Sequence, residues 1–285
     1  MRSSLPFLDG SYSDLACERR RADTSVMGVS YAREVTDVGV WERIKITTDE
    51  GAESIGRPKG IYNTLMTKKA GALDKSEIEP TTAALSSELL KVTEDMDLFP
   101  RVILVVGLGN SRLTPDAVGP MSADRVNATR EIKRVDKSTF QSLDCAEIAV
   151  IKPGVSAESG LDAFDTVKGI CDGLKPDLVI AIDALAAGAA ERLGTTVQIS
   201  STGILPGSGL GAVCKAISYS TLSVPVIAIG VPTVMDSRIF TKEEKKESLP
   251  DEEVLFVSPK DINLIVDSAS EMIGGAINKA FGIEI

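Results

Sequence analysis

The chain contains no histidine. That absence removes serine–histidine–aspartate and cysteine–histidine catalysis and every metal site built on imidazole, and it leaves acid–base chemistry to carboxylates, lysine, tyrosine or cysteine. Cysteine is scarce: Cys17, Cys145, Cys171 and Cys214 lie far apart without CxxC spacing. Neither a zinc knuckle nor a disulfide framework follows, and a reducing cytoplasm is the expected compartment. No stretch is long and apolar enough to cross a bilayer, and the first ten residues lack the apolar run of a secretion signal. Positive charge is also in deficit, with 31 basic against 41 acidic residues and a formal charge of −10. Direct contact with nucleic acid is therefore disfavoured, and a protein or small-molecule substrate is expected.

What is present is an ordinary globular composition, 43% hydrophobic and 25% charged over 285 residues, enough for one large domain. Four short apolar runs, Val102 to Val106, Ile148 to Ile151, Leu178 to Ile182 and Val226 to Ile229, have the character of buried parallel strands. Between the second and third, Leu161, Phe164, Val167, Cys171 and Leu174 share a helical face closed by Gly173 and Pro176, which completes a strand–helix–strand unit. Val40, Trp41, Ile44 and Ile46 predict a strand over 39–47 followed by a turn, and a weaker strand covers 60–66. Pro80-Thr81-Thr82 reads as the opening of a helix through Leu85 and Leu89, with threonine as its N-cap. Ser258-Pro259 reads as the cap of a closing helix striped by Ile262, Ile265, Val266, Met272, Ile273 and Ile277. Together these elements predict an α/β fold with an open, mostly parallel sheet and helices on both faces. Residues 1–20, polar and then basic around Arg19-Arg20-Arg21, are expected to be weakly ordered, and 21–285 to form a single domain. The segments 188–211 and 242–253 read as sizeable loops.

In open α/β sheets reacting groups collect beyond the carboxyl ends of the strands. Two aspartates fall there, Asp116 in the Gly107-to-Pro120 loop and Asp183 directly after Ile182. Two acids brought together split their pKa values into an acid and a base, which makes this pair the catalytic candidate. Spacing alone favours a plainer role for each: Asp116 as a helix N-cap after Pro115, and Asp183 as the cap of a helix starting at Ala184. The Gly107-x-Gly109 pair lacks the third glycine of a dinucleotide fingerprint, because position 112 is arginine. The glycine-rich stretch Thr202 to Gly211 lacks the Gly-Lys-Ser/Thr ending of a P-loop. Ser208 has no histidine partner, Lys215 would need a depressed pKa to serve it, and Cys145, Cys171 and Cys214 read as small buried hydrophobes.

Longer strings carry a resemblance. Arg21-Ala22-Asp23, Gly107-Leu108-Gly109-Asn110 with Thr114-Pro115-Asp116-Ala117-Val118-Gly119-Pro120, and the run from Lys175 to Ala186 are similar to the germination protease family of spore-forming bacteria. Thr202-Gly203, Pro206 to Gly209, the run from Val224 to Asp236 and Ser258 to Ile262 continue it over nearly the whole chain. The resemblance implies an atypical aspartic-type endopeptidase whose fold is similar to the hydrogenase-maturation proteases. Its implied catalytic pair falls on Asp116 and Asp183, with no cofactor and no metal. It also implies small acid-soluble spore proteins as substrate, a homotetramer, a spore-core cytoplasmic location, and a zymogen whose lost segment corresponds to residues 1–20. The chain departs from the family pattern at Ser111, Ser201, Leu205, Ala212 and Cys214. A maturation-type protease with a metal-bearing substrate and an inactive binding scaffold are the alternative readings.

Overall fold

The strands follow from the apolar runs. In the computed structural model, which describes residues 13–19, 26–68, 70, 73–207, 214–237 and 255–283, they are β1 (Val29–Thr36), β2 (Gly39–Ile46), β3 (Gly60–Met66), β4 (Val102–Gly107), β5 (Glu147–Ile151), β6 (Leu178–Ala187), β7 (Thr196–Ser200), β8 (Val226–Asp236) and β9 (Phe256–Val257). The helices are α1 (Ala16–Arg19), α2 (Asp49–Ile55), α3 (Lys75–Asp95), α4 (Val118–Ala123), α5 (Arg130–Val135), α6 (Lys137–Ser142), α7 (Ser156–Ser159), α8 (Ala163–Leu174), α9 (Tyr219–Leu222) and α10 (Ile262–Phe281). The sheet order is β1-β2-β3-β7-β8-β6-β4-β5, with β9 paired to the far end of β8.

Period-two alternation divides the core into two layers. Ile103, Val105, Ile180 and Ile182 face a cluster that includes Leu85 and Leu89 of α3, Val118 of α4 and Ile265, Val266 and Ile273 of α10. Leu104, Val106, Val179 and Ala181 face Phe164, Val167 and Cys171 of α8. The α/β architecture with helices on both faces is therefore the one the sequence predicts. The sheet itself is mixed: β5, β4, β6 and β8 are parallel, while β7, β3, β2 and β1 extend it in antiparallel fashion. The predicted parallel character belongs to the half that carries the acids.

Several elements differ from the sequence reading. Helix α3 starts before Pro80, because Asp74 accepts from the Ser76 and Glu77 amides and Glu77 accepts in return from the Asp74 amide. This capping box supplies partners that Thr81 and Thr82 do not, and their hydroxyls donate instead to carbonyls four residues back. Asp74→Ala is expected to lower stability by about 1 kcal/mol in urea titrations. Helix α10 starts at Ile262, after Ser258-Pro259 rather than on it. Within the predicted loop 188–211 lies β7, whose residues are all buried and join β3 to β8. Ser13–Arg19 pack against the sheet, with Leu15 and Ala16 fully buried, although the segment reads as solvated from its polarity. Residues 1–12, Arg20, Arg21, Ser208 to Ala212 and the predicted loop 242–253 lie outside the described residues.

Candidate active site

The site forms where β6 outruns β4. Gly107, the last residue of β4, pairs with Ile182, and the Leu108 N–H closes the ladder on the Ile182 carbonyl at 2.8 Å. Beyond that point β6 continues as a strand to Ala187 against β8. Asp183 is thus an interior strand residue, opposite Gly230, and no helix starts at Ala184. The strand persists because Ala184 to Ala187 keep pairing with Val231 to Met235, and because the Leu185 side chain fills the space left by Gly230. The predicted cap role of Asp183 is replaced by a shorter contact: its Oδ1 accepts the Ala184 N–H at 2.9 Å.

Asp116 reaches the same place by a turn. After β4 the chain reverses at Gly109, whose φ of +105° suits glycine, and a Cβ there would lie 2.1 Å from the Asp116 carbonyl oxygen. Thr114–Asp116 form one 3-10 turn, and the Asp116 carboxylate folds back to accept the Asn110 N–H at 2.8 Å. Helix α4 is capped by Ala117 without a side-chain bond, so Asp116 is not its N-cap. The Thr233 hydroxyl of β8 donates to the Pro115 carbonyl at 2.6 Å and ties the turn to the sheet. The paired glycines of this loop serve its reversal and its seating on the sheet.

Burial and mutual repulsion set the protonation of the pair. Asp183 is 4% exposed. Burial first, then the charges of Asp116 and Asp14, push its pKa well above the usual carboxylate range, against the amides of Ala184 and Gly207 that favour the charged form. Burial also raises Asp116, more modestly, against the Asn110 amide. One proton shared unequally between two acids is what a water-activating dyad requires. A cavity of about 190 Å³ opens beside Asp116, with Ala184, Leu185, Gly207, Val234 and Phe256 also in its wall.

The other candidates do not join this site. Lys215 stands over the Phe164 ring, 3.7 Å from Asp165, with its side chain 67% exposed. The four cysteines are free thiols. Burial pushes Cys17 up to about 11 and raises the other three, so none is an activated nucleophile. Ser201, a departure from the family pattern, accepts the Ile61 N–H at 2.9 Å and supports the β3–β7 pairing. Sequence reasoning missed Asp14, Gly119 and Thr233. Gly119 and Thr233 stand inside quoted strings, but only the folded chain shows what they touch.

A family model described as germination protease matches residues 13–247. The chain belongs to the germination protease family. Membership makes it a protease, and no helix among its described residues is long and apolar enough to cross a membrane. The germination protease of Caldanaerobacter subterraneus subsp. tengcongensis is 34% identical, over 95% of this chain and 94% of that one. That of Bacillus subtilis is 39% identical, over 79% of this chain and 63% of that one. Among solved structures, the NiFe hydrogenase maturation protease HycI from Thermococcus kodakarensis aligns over 66% of this chain and 99% of its own, with 19% identity and a TM-score of 0.34. The α/β assignment of this family member rests on its own sheet.

Proposed function

We propose that this germination-protease family member is an endopeptidase that starts the degradation of small acid-soluble spore proteins during germination. Asp116 and Asp183 activate the water. The observation that carries this reading is the burial of Asp183 beside Asp116, which raises Asp183 further than Asp116 and makes it the better holder of a shared proton. Asp116 takes a proton from water, and the oxygen so activated forms a bond to the scissile carbonyl carbon. Asp183 donates its proton to the carbonyl oxygen as that oxygen gains charge. Collapse of the tetrahedral intermediate breaks the carbon–nitrogen bond as Asp116 passes the proton it took to the leaving amine, and a hydroxyl proton of the intermediate returns to Asp183, so that both acids recover their starting states. Only carboxylates are used, in keeping with a chain that has no histidine.

The same reading includes a homotetramer working in the cytoplasm of the spore core, and a segment within residues 1–20 that is lost on activation. The test is incubation of the purified chain with a small acid-soluble spore protein, with fragments followed by mass spectrometry in excess chelator. Discrete internal fragments that persist under chelation are the expected result, and intact substrate after prolonged incubation with folded protein overturns the reading. Sedimentation should give a particle four times the 30.1 kDa chain mass.

A further inference from the structure

In a parallel strand the N–H and C=O of one residue point to the same side, and successive residues alternate. The Ile182 carbonyl faces β4, where Leu108 bonds to it. Ala184 and Ala186 therefore present their main chains to the same side, where β4 has ended. At Ala186 this chain supplies its own partner. The Asp14 N–H donates to the Ala186 carbonyl at 3.0 Å, and the Asp14 carboxylate accepts the Ala186 N–H at 2.9 Å, a side chain standing where a neighbouring strand would present its carbonyl. The Ser13 carbonyl is held by the guanidinium groups of Arg19 and Arg57 at 2.9 and 2.7 Å, and the Gly188 N–H donates to Glu18 at 2.7 Å. Among the described residues no main-chain donor reaches the Ala184 carbonyl from this side. Asp14 also lies close enough to Asp183 for its charge to act there. A segment of this chain already lies on this edge, and its Asp14 acts on Asp183.

We infer that the edge of β6 from Ala184 to Ala186 is the seat on which a substrate polypeptide is held in extended form, main chain to main chain, and that Ser13-Asp14 gives up this seat when substrate binds. The inference rests on the protease reading above. Recognition through the main chain requires a segment free of its own secondary structure, and the cavity beside Leu185, Val234 and Phe256 is positioned to read one of its side chains.

The probe is a labelled peptide with the sequence of residues 13–19, which fits this edge in the chain itself, and the readout is fluorescence anisotropy. The protein is the full chain carrying Asp183→Asn, so that binding is measured without cleavage. Adding Asp14→Ala should tighten peptide binding about tenfold, because the internal occupant loses its side-chain bond. N-methylation of the peptide's aspartate amide should weaken binding about tenfold, whereas N-methylation of its cysteine, which lies off the edge, should not. Equal binding of the two methylated peptides, no gain with Asp14→Ala, or no binding overturns the inference. If Asp14→Ala does not fold, the methyl comparison is made on Asp14→Asn, which keeps the acceptor, and its failure there is equally decisive. Cleavage of spore protein is not read in this assay. A chain that binds but never cuts spares the seat and sinks the proposed function, and a chain that cuts but ignores methylation does the reverse.

Discussion

Asp116→Asn and Asp183→Asn are each expected to lower the cleavage rate by about 10²–10⁴-fold while leaving the fold intact, because each removes one proton-transfer partner and keeps its shape. The two losses should differ in their pH signature. Under the proposed mechanism the parent needs Asp116 ionised and Asp183 protonated, so the expected profile is a bell with both limbs above the ordinary aspartate value of 3.8. Residual activity should lose the alkaline limb in Asp183→Asn and the acid limb in Asp116→Asn. Stability provides a second readout with the opposite sign. A carboxyl group whose folded pKa is raised contributes stability that is fully present below its unfolded value and is lost as pH rises through the folded value. Asp183 is such a group, so a neutral amide in its place should make the chain more resistant to heat at pH 7, with the gain shrinking as the pH falls toward 4. A catalytic variant that melts higher than its parent is hard to explain by general damage. Loss of activity with lower stability in both variants would instead make the pair structural.

The parallel half of the sheet was legible because its strands are buried on both faces and appear as unbroken apolar runs, Val102 to Val106 and Leu178 to Ile182 among them. The α8 face was legible for the complementary reason, since Phe164, Val167 and Cys171 recur at helical spacing on an element buried on one side only. Strand β1 was missed because most of its residues are exposed at the sheet edge, and the order of Ser13–Arg19 because it depends on partners as distant as Ala186 and Gln198. Both candidate aspartates were chosen by type and position and lie close enough for one charge to act on the other, yet the cap roles that spacing favoured for them are not the ones they have. The cap assignment for Asp183 assumed that a strand stops where its β-branched residues do. Pairing with β8 carries β6 on through four alanine or leucine residues whose individual strand preference is weak.

Gly119→Ala is expected to destabilise the chain by about 1–3 kcal/mol and to abolish most of its activity, although it adds one methyl group at a residue with no functional group. Gly119 lies where α4 crosses the ends of β4 and β6. A Cβ there would sit 2.1 Å from the Leu108 carbonyl oxygen, 2.4 Å from the Ile182 carbonyl oxygen and 2.6 Å from the Leu108 nitrogen. All three are main-chain atoms, two of them belonging to the Leu108–Ile182 hydrogen bond that ends the β4–β6 ladder, so no side-chain rotation relieves the contact. Helix α4 must lift, and Asp116, two residues before its first turn, must move with it away from Asp183. The control is Gly169→Ala on the exposed side of α8, where an added Cβ meets nothing within 4 Å. There the same methyl group should stabilise by about 0.4–1 kcal/mol, because it restricts the unfolded chain. Melting temperatures should therefore move in opposite directions, by about 2–4 °C per kcal/mol, and only Gly119→Ala should lose cleavage. If Gly119→Ala keeps full activity, the position of Asp116 does not depend on the seating of α4, and the turn from Gly109 to Asp116 with its tie to Thr233 must hold the carboxylate alone.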